Sequence, residues 1–240
     1  MKIVIIGNGN VATSLHAAFA KKNMDAPMVN SRELTNLPEA DVYIYAVTDE
    51  ALAEVVGNVH VHARAIHVHT SGTVPVSVFG EDKPHSGILY PFQTFSKAQP
   101  IDDFSQIPLF IEGKDIDDVA AIYTLALTLS PRVFEASQAD RERLHVAGVF
   151  ANNFTNCMYR MAADMLKGTQ IPFSVLLPLI DQTAAKVHSL TPKEAQTGPA
   201  NRGDEQVINH HKQIVANYSY PAKVYDLLTE YIQRANGIVG

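Results

Sequence analysis

The hexapeptide Gly7-Asn8-Gly9-Asn10-Val11-Ala12 sets two glycines and a small residue at the spacing GxGxxA. Ile3, Val4, Ile5 and Ile6 precede it as a continuous apolar run, and Val11, Leu15, Ala18 and Phe19 follow at helical spacing. A buried strand, a tight turn and a helix are expected. In that setting the second glycine lets the backbone approach a pyrophosphate, and the helix N-terminus favours its negative charge. Ala12 takes the position where helix and strand pack closely. The alternative is a plain connection that binds nothing, and only the flanking run and helix argue against it.

About 20 residues beyond such glycines, an acid usually accepts from the ribose 2′-hydroxyl of NAD. The second expected strand instead ends in Asn30-Ser31-Arg32, with Glu33 behind it. Ser31 can donate to a 2′-phosphate and Arg32 can clamp it, so NADP is expected over NAD. A polar turn is the competing reading. The carboxyl ends of the next strands should border the nicotinamide side. Ala46-Val47-Thr48 is small enough for a cofactor to lie on its backbone, and His69-Thr70-Ser71-Gly72 offers hydroxyls, Ser71 among them, and a glycine. The stretch Tyr90-Pro91-Phe92-Gln93-Thr94-Phe95 mixes aromatic walls with polar groups, as small-ligand pockets do.

The pairs His60/His62 and His67/His69 alternate as strand residues of one face would. No acid follows them at ligand spacing, and no metal site is expected. Further on, Phe150, Phe154, Cys157, Met161 and Met165 share one helical face and are expected in a core. His145, Asn152 and Asn156 lie opposite, with Asn153 at the flank. Asparagines are poor helix formers, so this stripe is expected to face a ligand. Thr191-Pro192-Lys193-Glu194 fits a capping box. Beyond it, Arg202 and Asp204 close a Gly/Pro-bounded loop, and His211 stands among Val207, Ile208, Ile214 and Val215. Asp204 is either a helix N-cap or the partner that fixes the His211 tautomer. His211, Asn153, Asn152, Asp204 and Arg202 are the candidate catalytic residues, with His145 a further candidate acid or base.

The elements that must position these groups alternate through the first half. Strands are expected over 3–6, 27–30, 42–46, 65–69, 87–90, 109–112 and 132–135, with helices between them, most plainly over 12–22 and 115–129. That order means βαβ units and a parallel sheet. From about Ser137 the texture becomes helical, over 149–167, 173–189, 204–217 and 221–235. The expected fold is α/β: a Rossmann-type dinucleotide-binding domain over 1–136, then an all-α substrate or dimerisation domain over 137–240.

Composition narrows the classes. The chain has 240 residues, 46% hydrophobic and 18% charged, with a net charge of −6. That balance is globular and argues against nucleic acid or an anionic membrane as partner. No apolar run reaches bilayer length and no signal-peptide pattern opens the chain, so a cytoplasmic protein is expected. Cys157 is the single cysteine, which excludes an intrachain disulfide.

Together the motifs resemble Rossmann proteins that carry a helical domain like the C-terminal one of 6-phosphogluconate dehydrogenase. That group includes pyrroline-5-carboxylate reductase, the β-hydroxyacid dehydrogenases, ketopantoate reductase and the deazaflavin-dependent NADP reductases. The chain is most similar to a branch of NADP oxidoreductases, through GNGNVA at 7–12, HTSGT at 69–73, YPFQTFS at 90–96, FANNF at 150–154 and TGPANRGD at 197–204. The resemblance covers nearly the whole chain and implies an NADP(H)-dependent oxidoreductase. Hydride would pass to or from a small carbonyl, imine or deazaflavin-type acceptor at the domain cleft. A homodimer formed through the helical domain is also expected. One departure stands out. The β-hydroxyacid dehydrogenases carry a catalytic lysine four residues before a helical asparagine, and with Asn153 as that asparagine the position holds Val149. The acid is therefore unassigned, and a dinucleotide-binding sensor without catalysis is the rival reading.

Overall fold

The structure is a computed structural model that describes residues 1–62 and 64–238. Its described residues divide into two compact units, Met1–Phe154 and Thr155–Gly240.

The first unit is built on seven strands: β1 (Ile3–Ile6), β2 (Met28–Val29), β3 (Val42–Tyr45), β4 (Ile66–His69), β5 (Ser86–Pro91), β6 (Leu109–Gly113) and β7 (Val133–Glu135). Their order in the sheet is β2-β1-β3-β4-β5-β6-β7. Helices α1 (Asn10–Lys21), α2 (Asp49–Asn58) and α3 (Ile116–Leu129) are the connections that a mostly parallel sheet demands. This is the expected Rossmann-type α/β fold.

Alternation along the strands divides the core into two layers. Ile3, Ile5, Ile44, Val68, Leu89 and Ile111 pack with Leu15 and Phe19 of α1 and Ile122 and Leu125 of α3. Val4, Ile6, Tyr43 and Tyr45 pack on the other face with Leu52, Val55 and Val56 of α2 and with Phe79. Burial on both faces is why β1 reads as an unbroken apolar run.

Three details differ from the sequence expectation. The 27–30 strand shrinks to two residues because the Asn30 side chain folds back, its Oδ1 accepting from the Arg32 N–H at 3.2 Å. The sheet is not wholly parallel, since β5 and β6 pair antiparallel. Residues 92–108 between them contain no helix, and an antiparallel pair needs no crossover. Finally, the helical texture does begin near Ser137, but α4 (Gln138–Gly148) belongs to the sheet unit, which ends at Phe154. The side chain of Arg141 is wholly buried there, paired with Glu112 of β6 and donating to the Ala136 carbonyl at 3.1 Å.

The second unit contains α5 (Thr155–Met165), α6 (Leu177–Lys186), the single turns α7 (Pro192–Ala195) and α8 (Pro199–Arg202), α9 (Glu205–Val215) and α10 (Ser219–Ala235). Thr191 and Glu194 form the expected capping box at the start of α7. Only Ile208, Thr229 and Gln233 are buried among its described residues.

Candidate functional site

The carboxyl ends of β1, β3 and β4 open into a groove of about 540 Å³ lined by Gly7, Asn8, Gly9, Asn10, Val11, Ser31, Arg32, Ala46, Val47 and Thr48. Each of those was expected from the sequence. Two glycines with different jobs shape its floor. Gly7 has φ +132°, and a Cβ there would collide with the Ala46 carbonyl of the neighbouring chain segment. Gly9 is the N-cap of α1 with ordinary extended dihedrals, and a Cβ there would meet nothing within 4 Å. So the protein itself does not need a glycine at position 9; the free space fits a phosphate cradle at a helix N-terminus. Residues 10–12 open the helix, and Ala12 is buried beneath the groove.

Sequence reasoning missed Ala51, Glu54 and Val55, which α2 turns into the groove; Thr70, from the hydroxyl-bearing 69–72 stretch, lines it at the tip of β4. Two expected residues serve the local backbone instead. Asn30 closes its own turn, and the Ser71 hydroxyl accepts from the Thr73 and Val74 N–H groups at 3.1 Å. Thr73 in turn donates to Asp49 at 2.6 Å, tying the 69–74 loop to α2.

A second cavity, of about 210 Å³, opens beside the first at the end of β5. Tyr90, Phe92, Gln93 and Thr94 supply one wall, and His145, Gly148, Val149, Ala151, Asn152 and Asn153 the other. Its geometry follows from α4. Arg141, His145 and Gly148 recur on the helix face that meets the sheet, and Gly148 leaves no room for a Cβ against the Phe92 ring. His145 Nδ1 then lies 3.2 Å from Tyr90 Oη. The phenol is half-buried, and burial, followed by the Asp49 charge, pushes its pKa up to about 12. At neutral pH it is an O–H donor. Its ring is held by Phe92 and Phe110 and sits where a side chain at Gly72 would have to go. Groove and cavity thus lie at the tips of two paired strands, with Thr70 lining the groove and Gly72 backing Tyr90 of the cavity.

Residues 149–154 are a π-helix. The wider turn breaks the 3.6 period and brings both Asn152 and Asn153 to the cavity wall, where a regular helix would separate them. The expected apolar core face is not buried: Phe150 is 64% and Phe154 49% exposed, and Cys157 is exposed.

His67 and His69 are core residues. Tyr45 Oη lies 2.8 Å from His67 Nδ1, and His69 stacks on Phe79. Burial lowers both pKa values to about 4, helped at His67 by Lys83 and at His69 by Arg141. Both are neutral at neutral pH.

In the helical unit, the expected pairing of Asp204 with His211 does not form. Asp204 caps α9, Oδ1 accepting from the Val207 N–H at 3.2 Å, and His211 Nδ1 lies 3.0 Å from Tyr225 Oη of α10. Arg202 is exposed at the end of α8.

The family described as a domain of unknown function, DUF2520, matches residues 107–232. A crystal structure described as a "putative NADP oxidoreductase" from Bacteroides fragilis is 40% identical, with a TM-score of 0.87 over 97% of this chain and 98% of that one. A reductive aminase from Aspergillus terreus, solved with NADPH and ethyl levulinate, is 12% identical with a TM-score of 0.71 over 98% and 93% of the two chains. An imine reductase from Myxococcus stipitatus, solved with NADP+, is 13% identical with a TM-score of 0.62 over 98% and 94%. These two share the fold. No curated protein matches the chain significantly. No helix among the described residues is long and apolar enough to cross a membrane.

Proposed function

From the premise that this chain belongs to the DUF2520 family and is closely similar to the Bacteroides fragilis protein, we propose that it is an NADP(H)-dependent oxidoreductase acting on a small molecule. The carrying observation is a phosphate-binding type of groove and a small, partly apolar cavity at the tips of the neighbouring strands β4 and β5. Gly7 to Val11 would hold the pyrophosphate. Ser31 and Arg32 line both the groove and the recess that continues it, where they would hold the 2′-phosphate. Bound NADPH would supply hydride. The chain's residues orient the acceptor: Asn152 and Asn153 offer amide donors and acceptors, and Phe92 and Val149 exclude water. His211 supports the second unit through Tyr225, which leaves the first unit's cavity as the place of reaction. The exposed apolar side chains of α6 and α10 are covered by a second copy of the chain.

Titration of NADPH and NADH against wild type and Arg32→Ala tests this reading. NADPH should bind more tightly to wild type, and the variant should lose about 1.5–3 kcal/mol for NADPH and little for NADH. Equal wild-type affinities would sink the cofactor assignment. The rival reading, a sensor without catalysis, requires that NADPH bind and no acceptor be reduced.

A further inference from the structure

We infer that Tyr90 is the proton donor of the reaction, with His145 as its relay to solvent, and that the acceptor is an uncharged carbonyl compound. The inference deepens the oxidoreductase reading and rests on it.

Three observations carry it. Tyr90 is the hydroxyl shared by cavity and relay, 3.2 Å from His145 Nδ1, and its ring is immobilised by Gly72, Phe92 and Phe110. His145 is exposed on α4, so its imidazole reaches water while the phenol is half-buried. Among the described residues, the cavity wall contains no Lys, Arg, Asp or Glu. A carboxylate substrate would find no counter-ion there, whereas a neutral one is suited by the mix of amides and aromatic rings.

The need for a donor selects the acceptor. Bound NADPH would supply hydride to the carbonyl carbon, and the C=O π pair would move onto oxygen. The Tyr90 Oη–H bond breaks and its proton goes to that oxygen. Protonated His145 returns a proton from Nδ1 to Tyr90 Oη and is itself recharged from water. The balance is one carbonyl, one hydride and one solvent proton giving one alcohol. An iminium ion arrives already protonated and needs no such acid, so the pair would be idle for it. Val149 in the opposite wall has no proton to give, and Tyr90 supplies one from the sheet side.

The test uses the full-length chain, with Tyr90→Phe and His145→Gln beside wild type. Cyclopentanone binding is read by saturation-transfer NMR without cofactor, NADPH affinity by fluorescence, and turnover with neutral C4–C8 ketones and aldehydes, the matching 2-oxo acids and an N-alkyl iminium salt. We expect unchanged NADPH affinity in both variants and weakened cyclopentanone binding in Tyr90→Phe alone. Reduction of neutral carbonyls should fall about 100-fold or more in Tyr90→Phe. His145→Gln should slow that reduction about tenfold, and added free imidazole should restore part of it. Turnover of Tyr90→Phe within twofold of wild type overturns the donor, and His145→Gln turnover within twofold of wild type, or a loss that imidazole does not rescue, overturns the relay. A preference for the 2-oxo acids or the iminium salt overturns the substrate class. Wild type that binds NADPH and cyclopentanone but reduces none of the panel overturns the inference and leaves the cofactor reading standing. If wild type binds no NADPH, the oxidoreductase reading itself fails, while the NMR arm still reports on the cavity.

Discussion

Gly7 and Gly9 look equivalent in the hexapeptide, yet their neighbours separate them. At Gly7 the left-handed dihedral and the Ala46 carbonyl both exclude a side chain, so Gly7→Ala should destabilise the fold by about 2 kcal/mol or more. At Gly9 the backbone accepts any residue and the space is open. Gly9→Val should therefore keep the wild-type melting temperature while losing dinucleotide binding. Thermal unfolding and NADPH titration on both variants check the pair; normal binding by Gly9→Val would reduce the motif to a turn. The same distinction between look-alike residues holds for the histidines. His67 and His69 are locked neutral in the β3–β4 aromatic layer, whereas His145 sits at a cavity mouth.

Among the elements, α4 departs furthest from hydrophobic periodicity, because the contact that seats it on the sheet is an ion pair between wholly buried Arg141 and partly exposed Glu112. A buried arginine carries no apolar signal, and its partner lies on a distant strand. The π turn after α4 escapes the sequence as well, since VFANNF fits an ordinary amphipathic helix equally well. On α9 the decision falls between neighbours in space. Asp204 serves the helix start, and His211 reaches across to Tyr225 on α10. His211→Ala and Tyr225→Phe should each cost about 1 kcal/mol, and together little more than either alone, as partners in one hydrogen bond do. NADPH affinity should not change. Chemical denaturation of the two single variants and the double variant measures the coupling; full additivity would show that the contact contributes nothing, and His211 would return as a catalytic candidate.

At the scale of the whole molecule, the helical unit leaves much apolar surface open. Tyr220, Leu227 and Tyr231 of α10 are 66–75% exposed, and Leu179 of α6 is 65% exposed. Side chains so large, so open and clustered on so few helices fit the proposed association surface. With nearly nothing buried among the unit's described residues, we propose that self-association supplies the stabilisation its own packing does not. Sedimentation at micromolar concentration should give twice the chain mass of 26.3 kDa. Leu227→Glu with Tyr231→Glu should shift the protein toward single chains while leaving the sheet unit folded. A wild-type mass of one chain overturns the dimer.

The sequence by itself determined the parts that depend on neighbours along the chain. The apolar run at 3–6, the glycine turn, the helix after it and the Thr191 capping box are local, and each formed where periodicity and turn chemistry placed it. Most of the groove was legible for the same reason, since its residues sit at strand tips whose positions follow from the βαβ order. Only the tertiary structure decided what depends on distant neighbours. It set Asn30 and Ser71 to building turns, turned α2 into the groove, and reversed β6 against β5. It also brought Tyr90 and His145 together from 55 positions apart. No local pattern encodes that approach, because it arises where a strand end, a glycine without a side chain and an ion-paired helix converge.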